Sequence, residues 1–203
     1  MWDHGGGTDG FGWDEVYDND HTTMDEFSLA LDSAYRETGV TFEVIGFDAC
    51  LMATLGVASV IENYANYMVA SEELEPGHGW DYTAILSSLK NNPNQDGKSL
   101  GKVIADSYVQ HTKTIAERDG YAPDRTITLS VVDLAKISLI QNAIVELGNS
   151  LLQAFDNDEN YYKKLVEQLL SEKVISRRQA GRGTSSTLPS AAPRCFSLQF
   201  PIM

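Results

Sequence analysis

The chain has 203 residues, of which 42% are hydrophobic and 22% are charged, and its net charge is −14. These fractions are typical of a folded globular protein and argue against a disordered chain, collagen or a coiled coil. The first 100 residues hold 18 acids and 3 bases, so we expect no nucleic-acid partner and a surface suited to a cationic substrate.

The first half of the chain alternates between helical and strand patterns. Residues 1–23 are rich in Gly and Asp, and we interpret them as a loop. Apolar residues at helical spacing predict the next helix, with Thr23 or Asp25 near its N-cap and Gly39 after its end. The predicted elements are a helix at 24–37, a buried strand at 41–47, a helix at 51–66 and a short strand at 67–71.

The second half continues the same alternation and ends in a different composition. A loop is predicted at 72–82, helices at 82–90 and 96–118, a strand at 125–132, helices at 133–155 and 159–172, and a short strand at 195–202. Residues 176–194 are rich in Arg, Ser, Gly and Pro, which indicates a loop or linker. The whole pattern predicts an α/β fold with a mostly parallel sheet covered by helices on both faces. No apolar run approaches the roughly 20 residues of a membrane span, so we expect none.

Cys50 lies where the predicted strand at 41–47 meets the next helix. Open α/β sheets place their sites at the carboxyl ends of strands, and a helix N-terminus favours the thiolate form of a cysteine. Cys50 is therefore a candidate nucleophile. The alternative is a small buried cysteine that packs in the core.

A histidine followed by three glycines, His4 to Gly7, is the second candidate element. A histidine supplies a general base for a thiol, and glycines let backbone N–H groups approach a developing oxyanion. The alternative is an ordinary flexible loop. The same four letters occur in lipases and esterases, but their G-x-S-x-G nucleophile turn is absent from this sequence.

Four segments together resemble the clostripain family of cysteine peptidases, which belongs to the larger group of caspases, gingipains and legumains. The segments are WDHGGG at 2–7, GFDACLMA at 46–53, SEELEPGHGWDY at 71–82 and SLQFP at 197–201. The resemblance implies a caspase-like three-layer α/β sandwich. It also implies that His4 is the general base, that Cys50 is the nucleophile, and that the N–H groups of Gly5 and Cys50 bind the oxyanion.

The resemblance further implies a peptide or protein substrate with Arg or Lys at P1, the residue before the cleaved bond. Asp48 matches the acid that reads this side chain, and Trp80 would form a wall of the substrate cleft. The alternative for Asp48 is an N-cap of the following helix, and the alternative for Trp80 is a core residue. Glu72, Glu73 and Glu75 either add negative potential for a basic substrate or belong to a solvated loop.

The family has strands ahead of its histidine motif, and this sequence begins at that motif. We therefore expect one truncated peptidase domain over 1–203, with a separate N-terminal chain or segment as a possible partner. The alternative is an inactive family member that binds peptides or partner proteins. The sequence contains no signal peptide, and only the resemblance implies a secreted or cell-envelope location.

We expect no cofactor. The alternative is a calcium ion at the acidic stretch Asp14, Glu15, Asp18 and Asp20, although its spacing is not that of an EF-hand. A second stretch, 156–167, mimics the EF-hand spacing of acidic residues. Tyr161 stands where that motif needs a glycine, so we interpret the stretch as the start of a helix.

Overall fold

A computed structural model describes residues 1–157 and 159–171 of the chain. Within them the chain divides into two compact units, residues 1–137 and the residues from Ser138 onward. The predicted linker at 176–194 and the predicted strand at 195–202 lie outside the described residues.

The first unit is built on a three-stranded sheet in the order β3-β4-β5. β3 and β4 run parallel, with Val44 opposite Tyr67, and β4 and β5 run antiparallel. The strands are β3 (Phe42–Gly46), β4 (Ala65–Ala70) and β5 (Ser130–Asp133).

Helices pack on both faces of this sheet because strand residues alternate between the faces. Ile45, Met68 and Ala70 belong to one core with residues of α1 and α2, whereas Val69 belongs to a second core with residues of α3 and α4. The helices are α1 (Met24–Thr38), α2 (Leu55–Ile61), α3 (Tyr82–Asn91) and α4 (Gly97–Asp119). The predicted mixture of helices and strands in an α/β fold is confirmed.

The direction and length of β5 differ from the prediction. One helix, α2, connects β3 to β4. This crossover helix brings the chain back to the end of the sheet where β3 began, so β4 runs parallel to β3. Two helices, α3 and α4, connect β4 to β5, so the chain re-enters the sheet from the opposite end. The last strand of the described sheet is therefore antiparallel, and it begins at Ser130 rather than near residue 125.

The N-terminal segment extends the sheet beyond β3. Trp2 forms a parallel bridge with Asp48, the Met1 amino group donates to Gly46 O (2.7 Å), and Asp48 N donates to Met1 O (2.8 Å). Residues 1–3 thus run beside β3 in the same direction. The His4 motif consequently follows one extended segment, and the Cys50 motif follows its parallel neighbour.

Residues 1–23, predicted as a loop, contain an antiparallel hairpin of β1 (Phe11–Asp14) and β2 (Asp20–Thr22). The hairpin was not predicted from the sequence because its strands are short and rich in residues that usually indicate turns. Asp18 and Asn19 adopt left-handed backbone angles, with φ of 57° and 59°, in the connecting turn. Phe11 fixes the hairpin to the core, since its ring meets that of Phe47 edge-on at 5.5 Å.

The ends of the helices follow the predicted signals closely at α1 and less closely at α2. Thr23 and Glu26 form a reciprocal capping box at the start of α1, and Gly39 ends the helix in the left-handed conformation. The predicted helix at 51–66 shortens to Leu55–Ile61 because Leu51 has a φ of 64° and Thr54 caps the helix. The last two residues of the predicted helix, 65 and 66, belong instead to β4, which begins at Ala65.

Two helices beyond β5 match the sequence prediction to within a few residues. They are α5 (Ile137–Asn157) and α6 (Glu159–Ser171), with a short 3₁₀ turn at Leu134–Lys136 before α5. From Ser138 onward they form the second unit. Across the described part of the chain, none of the helices has the length and apolar character needed to cross a membrane.

Candidate active site

Cys50 lies just past the carboxyl end of β3, in a tight turn rather than in a helix. Phe47 N still pairs with Val69 O (2.8 Å), as a continuation of the ladder, and the chain then turns at Leu51. The helix begins only at Leu55, so its positive end lies farther from Cys50 than the sequence predicted. The strand end therefore places Cys50, and the helix dipole contributes less to its electrostatics than we expected.

The residue after His4 lies directly against the backbone of Cys50. A Cβ built on Gly5 would come within 2.2 Å of Cys50 O and 3.0 Å of Cys50 N, so only glycine fits there. His4 itself is half-buried, and its carbonyl accepts a hydrogen bond from Gly12 N (2.8 Å). The structure thus brings the two candidate catalytic segments together at one edge of the sheet.

The Cys50 sulfur is enclosed by the loop that contains the SEELEPGHGWDY segment. Glu75 N donates to Cys50 Sγ (3.2 Å), and Leu51 N donates to Glu73 O (3.1 Å). These two contacts hold the loop against the side chain of Cys50 and the turn that follows it.

A buried serine anchors this loop to the sheet. Ser71 is fully buried, its Oγ donates to Glu73 O (3.0 Å), and it lies 3.2 Å from Thr128 Oγ1. Its carbonyl accepts from Ala53 N (2.9 Å), which ties the loop to the turn after Cys50. These contacts hold the start of the loop beside Cys50.

Asp48 is a buried carboxylate, 3% exposed, that is held by neutral donors. Its Oδ2 accepts from Trp80 N (2.9 Å) and from the Tyr82 hydroxyl (2.9 Å). Thr54, not Asp48, caps α2, so the alternative interpretation of Asp48 as that cap is wrong. None of the ion pairs among the described residues involves Asp48.

Glu75 forms a carboxyl pair with Asp48. Burial, followed by the hydrogen bond and the charge of Asp48, raises the pKa of Glu75 to about 9. The two side chains can form a hydrogen bond only if one carries a proton; with both ionised, the buried Glu75 Oε1 has no donor. At neutral pH Glu75 therefore keeps its proton and can donate it to Asp48.

Trp80 joins both carboxyls but lies in the core. It is 6% exposed, packs in the second core and closely approaches Gly46. Its backbone N–H donates to Asp48, and its indole Nε1 donates to Glu75 Oε2 (2.9 Å). The structure places Trp80 where the alternative interpretation expected it, as a core residue that also positions the two acids.

Further polar groups behind the carboxyl pair have no partner among the described residues. Tyr108 is fully buried with an unpartnered hydroxyl, and its pKa is raised by burial and then by the charges of Glu75 and Asp48. His78 Nδ1 pairs with Gly79 O (2.8 Å), while its Nε2 is buried without a partner. The sequence places His78 in the loop nearest the candidate site, where we expected either a solvent-facing side chain or a substrate contact, and the structure partly buries it. Sequence analysis did not identify Tyr108 as part of this site, because its place there depends on burial in the folded chain.

The acidic stretch that offered a calcium site forms the turn between β1 and β2. Asp14 Oδ1 accepts from Val16 N (2.9 Å), which uses this carboxylate within the turn. Residues 1–157 and 159–171 contain no group of three or more His, Cys, Asp or Glu side chains that could hold a metal ion. Asp158 of the second stretch lies outside the described residues.

The model of peptidase family C11, the clostripain family, matches residues 1–183. The chain belongs to the clostripain family. This family of cysteine peptidases is the one that the His4 and Cys50 motifs indicated. No protein among the curated proteins matches the sequence.

Solved structures of bacterial C11 proteases share the fold. A secreted C11 cysteine protease of Bacteroides thetaiotaomicron, solved with an irreversible peptide inhibitor, is 22% identical with a TM-score of 0.55, over 70% of this chain and 40% of that one. Iotapain, a secreted C11 protease of the same species, is 19% identical with a TM-score of 0.52, over 73% of this chain and 37% of that one. A Bacteroides fragilis cysteine protease is 20% identical with a TM-score of 0.48, over 63% of this chain and 48% of that one. The clostripain-family chain thus spans less than half the length of each.

Proposed function

We propose that this clostripain-family protein is a cysteine endopeptidase that cleaves peptide bonds after Arg or Lys. The observation that carries the proposal is the contact between the His4–Gly5 segment and the backbone of Cys50. Both segments follow parallel neighbours at the same edge of the sheet, where α/β folds place their sites. A histidine and a cysteine at this position form a nucleophile and a base once the thiol is reduced.

The reaction follows from these groups. His4 takes the proton of the Cys50 thiol, and the thiolate attacks the carbonyl carbon of the scissile bond. The N–H groups of Gly5 and Cys50 stabilise the oxyanion. The carbon–nitrogen bond then breaks, His4 gives its proton to the leaving amine, and water hydrolyses the thioester with His4 as the base.

The oxyanion role of Gly5 is supported by its surroundings. Its N–H has no hydrogen-bond acceptor among the described residues, although the backbone on both sides is paired: Gly6 N with Gly10 O, and Gly12 N with His4 O. A buried, rigid N–H next to the nucleophile is the donor that a tetrahedral intermediate needs.

Asp48 supports the preference for a basic P1 residue. Its carboxylate is buried two residues before the nucleophile and forms no ion pair within the described chain. A buried charge without a counter-ion is costly, and an Arg or Lys side chain would supply the missing charge. Trp80 contributes by holding Asp48 in place through its backbone N–H.

The wider architecture is part of the same proposal. We infer one peptidase domain of the caspase-like three-layer type, completed by a further segment or chain beside residues 1–3, and a secreted or cell-envelope location. The support is that this chain covers only 40% and 37% of two similar solved structures, and that both of these are described as secreted.

Trapping of the acyl-enzyme tests the mechanism. The reduced protein is mixed with an Arg-ester peptide, quenched in acid and analysed by mass spectrometry. We expect an adduct on Cys50 in the wild type, much slower adduct formation in His4→Ala, and no adduct in Cys50→Ala. An adduct that forms equally in Cys50→Ala would refute the assigned nucleophile.

The alternative function is a non-catalytic domain that binds peptides or partner proteins. The reactivity of Cys50 after reduction separates the two. An activated cysteine is alkylated by iodoacetamide much faster than an unactivated one, and His4→Ala should slow it. Equal rates for Cys50 and Cys195, unaffected by His4→Ala, would support the binding function.

A further inference from the structure

Glu75 connects the proposed nucleophile with the proposed P1 pocket. Its backbone N–H donates to Cys50 Sγ (3.2 Å), and its side chain pairs with Asp48. Glu72, three residues earlier in the same loop, is exposed. Among the acids of this loop, Glu75 therefore differs from Glu72 in having a buried carboxylate oxygen.

We infer that Glu75 is a second acidic specificity residue of the P1 pocket, and that a basic P1 side chain displaces the proton that Glu75 shares with Asp48. This inference rests on the proposed function, because it requires that the pocket beside Asp48 receives the P1 side chain.

The geometry supports a site for a cation. Glu75 Oε2 is held by Trp80 Nε1, whereas Glu75 Oε1 is buried and has no donor of its own. The hydroxyl of the fully buried Tyr108 also has no partner among the described residues, and the charges of Glu75 and Asp48 act on it. A guanidinium group carries five N–H donors and matches such a set of acceptors.

Charge balance determines what happens to the proton. In the empty pocket two ionised carboxylates would repel each other without a cation, so one proton remains bound. An entering guanidinium supplies a positive charge and N–H donors, and the carboxyl proton leaves to solvent. The occupied pocket then holds two carboxylates and one cation, with a net charge of −1. The empty pocket, with one carboxylate and one carboxylic acid, has the same net charge, so the guanidinium replaces the proton without a change of charge in the pocket.

Other titratable groups act on the carboxyl pair and could contribute to a pH dependence. They come from the loop, from α3, from α4 and from the N-terminal segment: His78, Tyr82, Tyr108 and the Met1 amino group. Burial raises the pKa of both tyrosines above the ordinary phenol value, so both stay protonated near neutral pH. Burial lowers the pKa of His78 and that of the Met1 amino group, so their contributions must be separated from that of Glu75 with a variant.

Proton release on binding tests the inference. The probe is agmatine, a small guanidinium compound, bound to the reduced protein and measured by titration calorimetry in buffers of different ionisation enthalpy. We expect close to one proton released per agmatine at neutral pH, and tighter binding as the pH rises toward the pKa of about 9. Binding without proton release would overturn the inference.

Glu75→Gln provides the matched variant, because glutamine keeps the shape of the side chain and an acceptor for Trp80. We expect it to abolish the proton release and to lower the ratio of kcat/KM for Arg over the uncharged citrulline at P1 by about tenfold or more. Glu72→Gln removes one exposed charge from the same loop and should change neither quantity. An unchanged ratio in Glu75→Gln, with Arg cleavage by the wild type intact, would overturn this inference alone. Absence of any Arg cleavage or agmatine binding by the wild type would overturn the proposed function as well.

Discussion

Gly5 and Cys50 approach so closely that a Cβ on residue 5 would lie 2.2 Å from the Cys50 carbonyl oxygen. The histidine motif is therefore fixed against Cys50 by a contact between the backbones of Gly5 and Cys50. Because the His4 carbonyl also pairs with Gly12 N, the hairpin of β1 and β2 supports this contact from the other side.

This contact predicts the effect of Gly5→Ala. The added methyl group must displace the backbone of residue 5 or of Cys50, which misplaces both the proposed base and the proposed oxyanion donor. We expect kcat/KM to fall by about 100-fold or more, since loss of a single oxyanion donor costs that much. Gly148→Ala, in α5 with no atom near the added Cβ, should leave activity unchanged. Full activity of Gly5→Ala would contradict the assigned geometry.

Asp48→Asn should change specificity more than stability. Asparagine can still accept the hydrogen bonds of Trp80 N and the Tyr82 hydroxyl, but it lacks the charge that a basic P1 residue requires. We expect kcat/KM for an Arg peptide to fall by about 100-fold, with a much smaller effect on a citrulline peptide. Comparison of the two peptides with both enzymes measures this, and an equal loss on both peptides would indicate a structural role.

Glu75→Gln should stabilise the protein increasingly as pH rises. In the wild type the folded state keeps the Glu75 proton, while the unfolded chain loses it above its ordinary pKa of 4.5. The folded state thus binds more protons than the unfolded state, and this group costs stability progressively from the ordinary pKa up to about 9. The difference in Tm, variant minus wild type, should therefore become more positive with rising pH. A difference that is constant across this range would show that Glu75 is not perturbed.

The cap of α1 gives a prediction about stability that is independent of the active site. Thr23 Oγ1 accepts from Glu26 N, and the Glu26 carboxylate accepts from Thr23 N (2.9 Å). Thr23→Ala should lower the free energy of unfolding by about 1 kcal/mol. Ser33→Ala, an exposed site within the same helix, should change it by less than about 0.5 kcal/mol. Urea denaturation of both variants tests this.

Much of the fold was predictable because local signals agree with the tertiary structure. Thr23 and Gly39 mark the ends of α1, and the β-branched run before Cys50 becomes β3. The strands β1 and β2 were missed because Gly12 and Asp20 belong to the residue types that usually indicate turns. The antiparallel direction of β5 was missed because it depends on how α3 and α4 pack, which no local pattern encodes.

Part of the candidate site was predictable because its local sequence motifs agree with the tertiary structure. His4, Gly5 and Cys50 occupy short motifs at the ends of extended segments, so their approach follows from strand order. Glu75 was not distinguished from Glu72, because both are acids in one polar loop and only burial separates them.

We propose that a reduced Cys50, with His4, cleaves peptides after basic residues. The most direct measurement is hydrolysis of two fluorogenic peptides that differ only in Arg or Asp at P1, by the reduced protein and by Cys50→Ala. We expect cleavage of the Arg peptide alone, and loss of this cleavage in Cys50→Ala. Cleavage of the Arg peptide by Cys50→Ala at the wild-type rate, or a preference of the wild type for Asp, would contradict it.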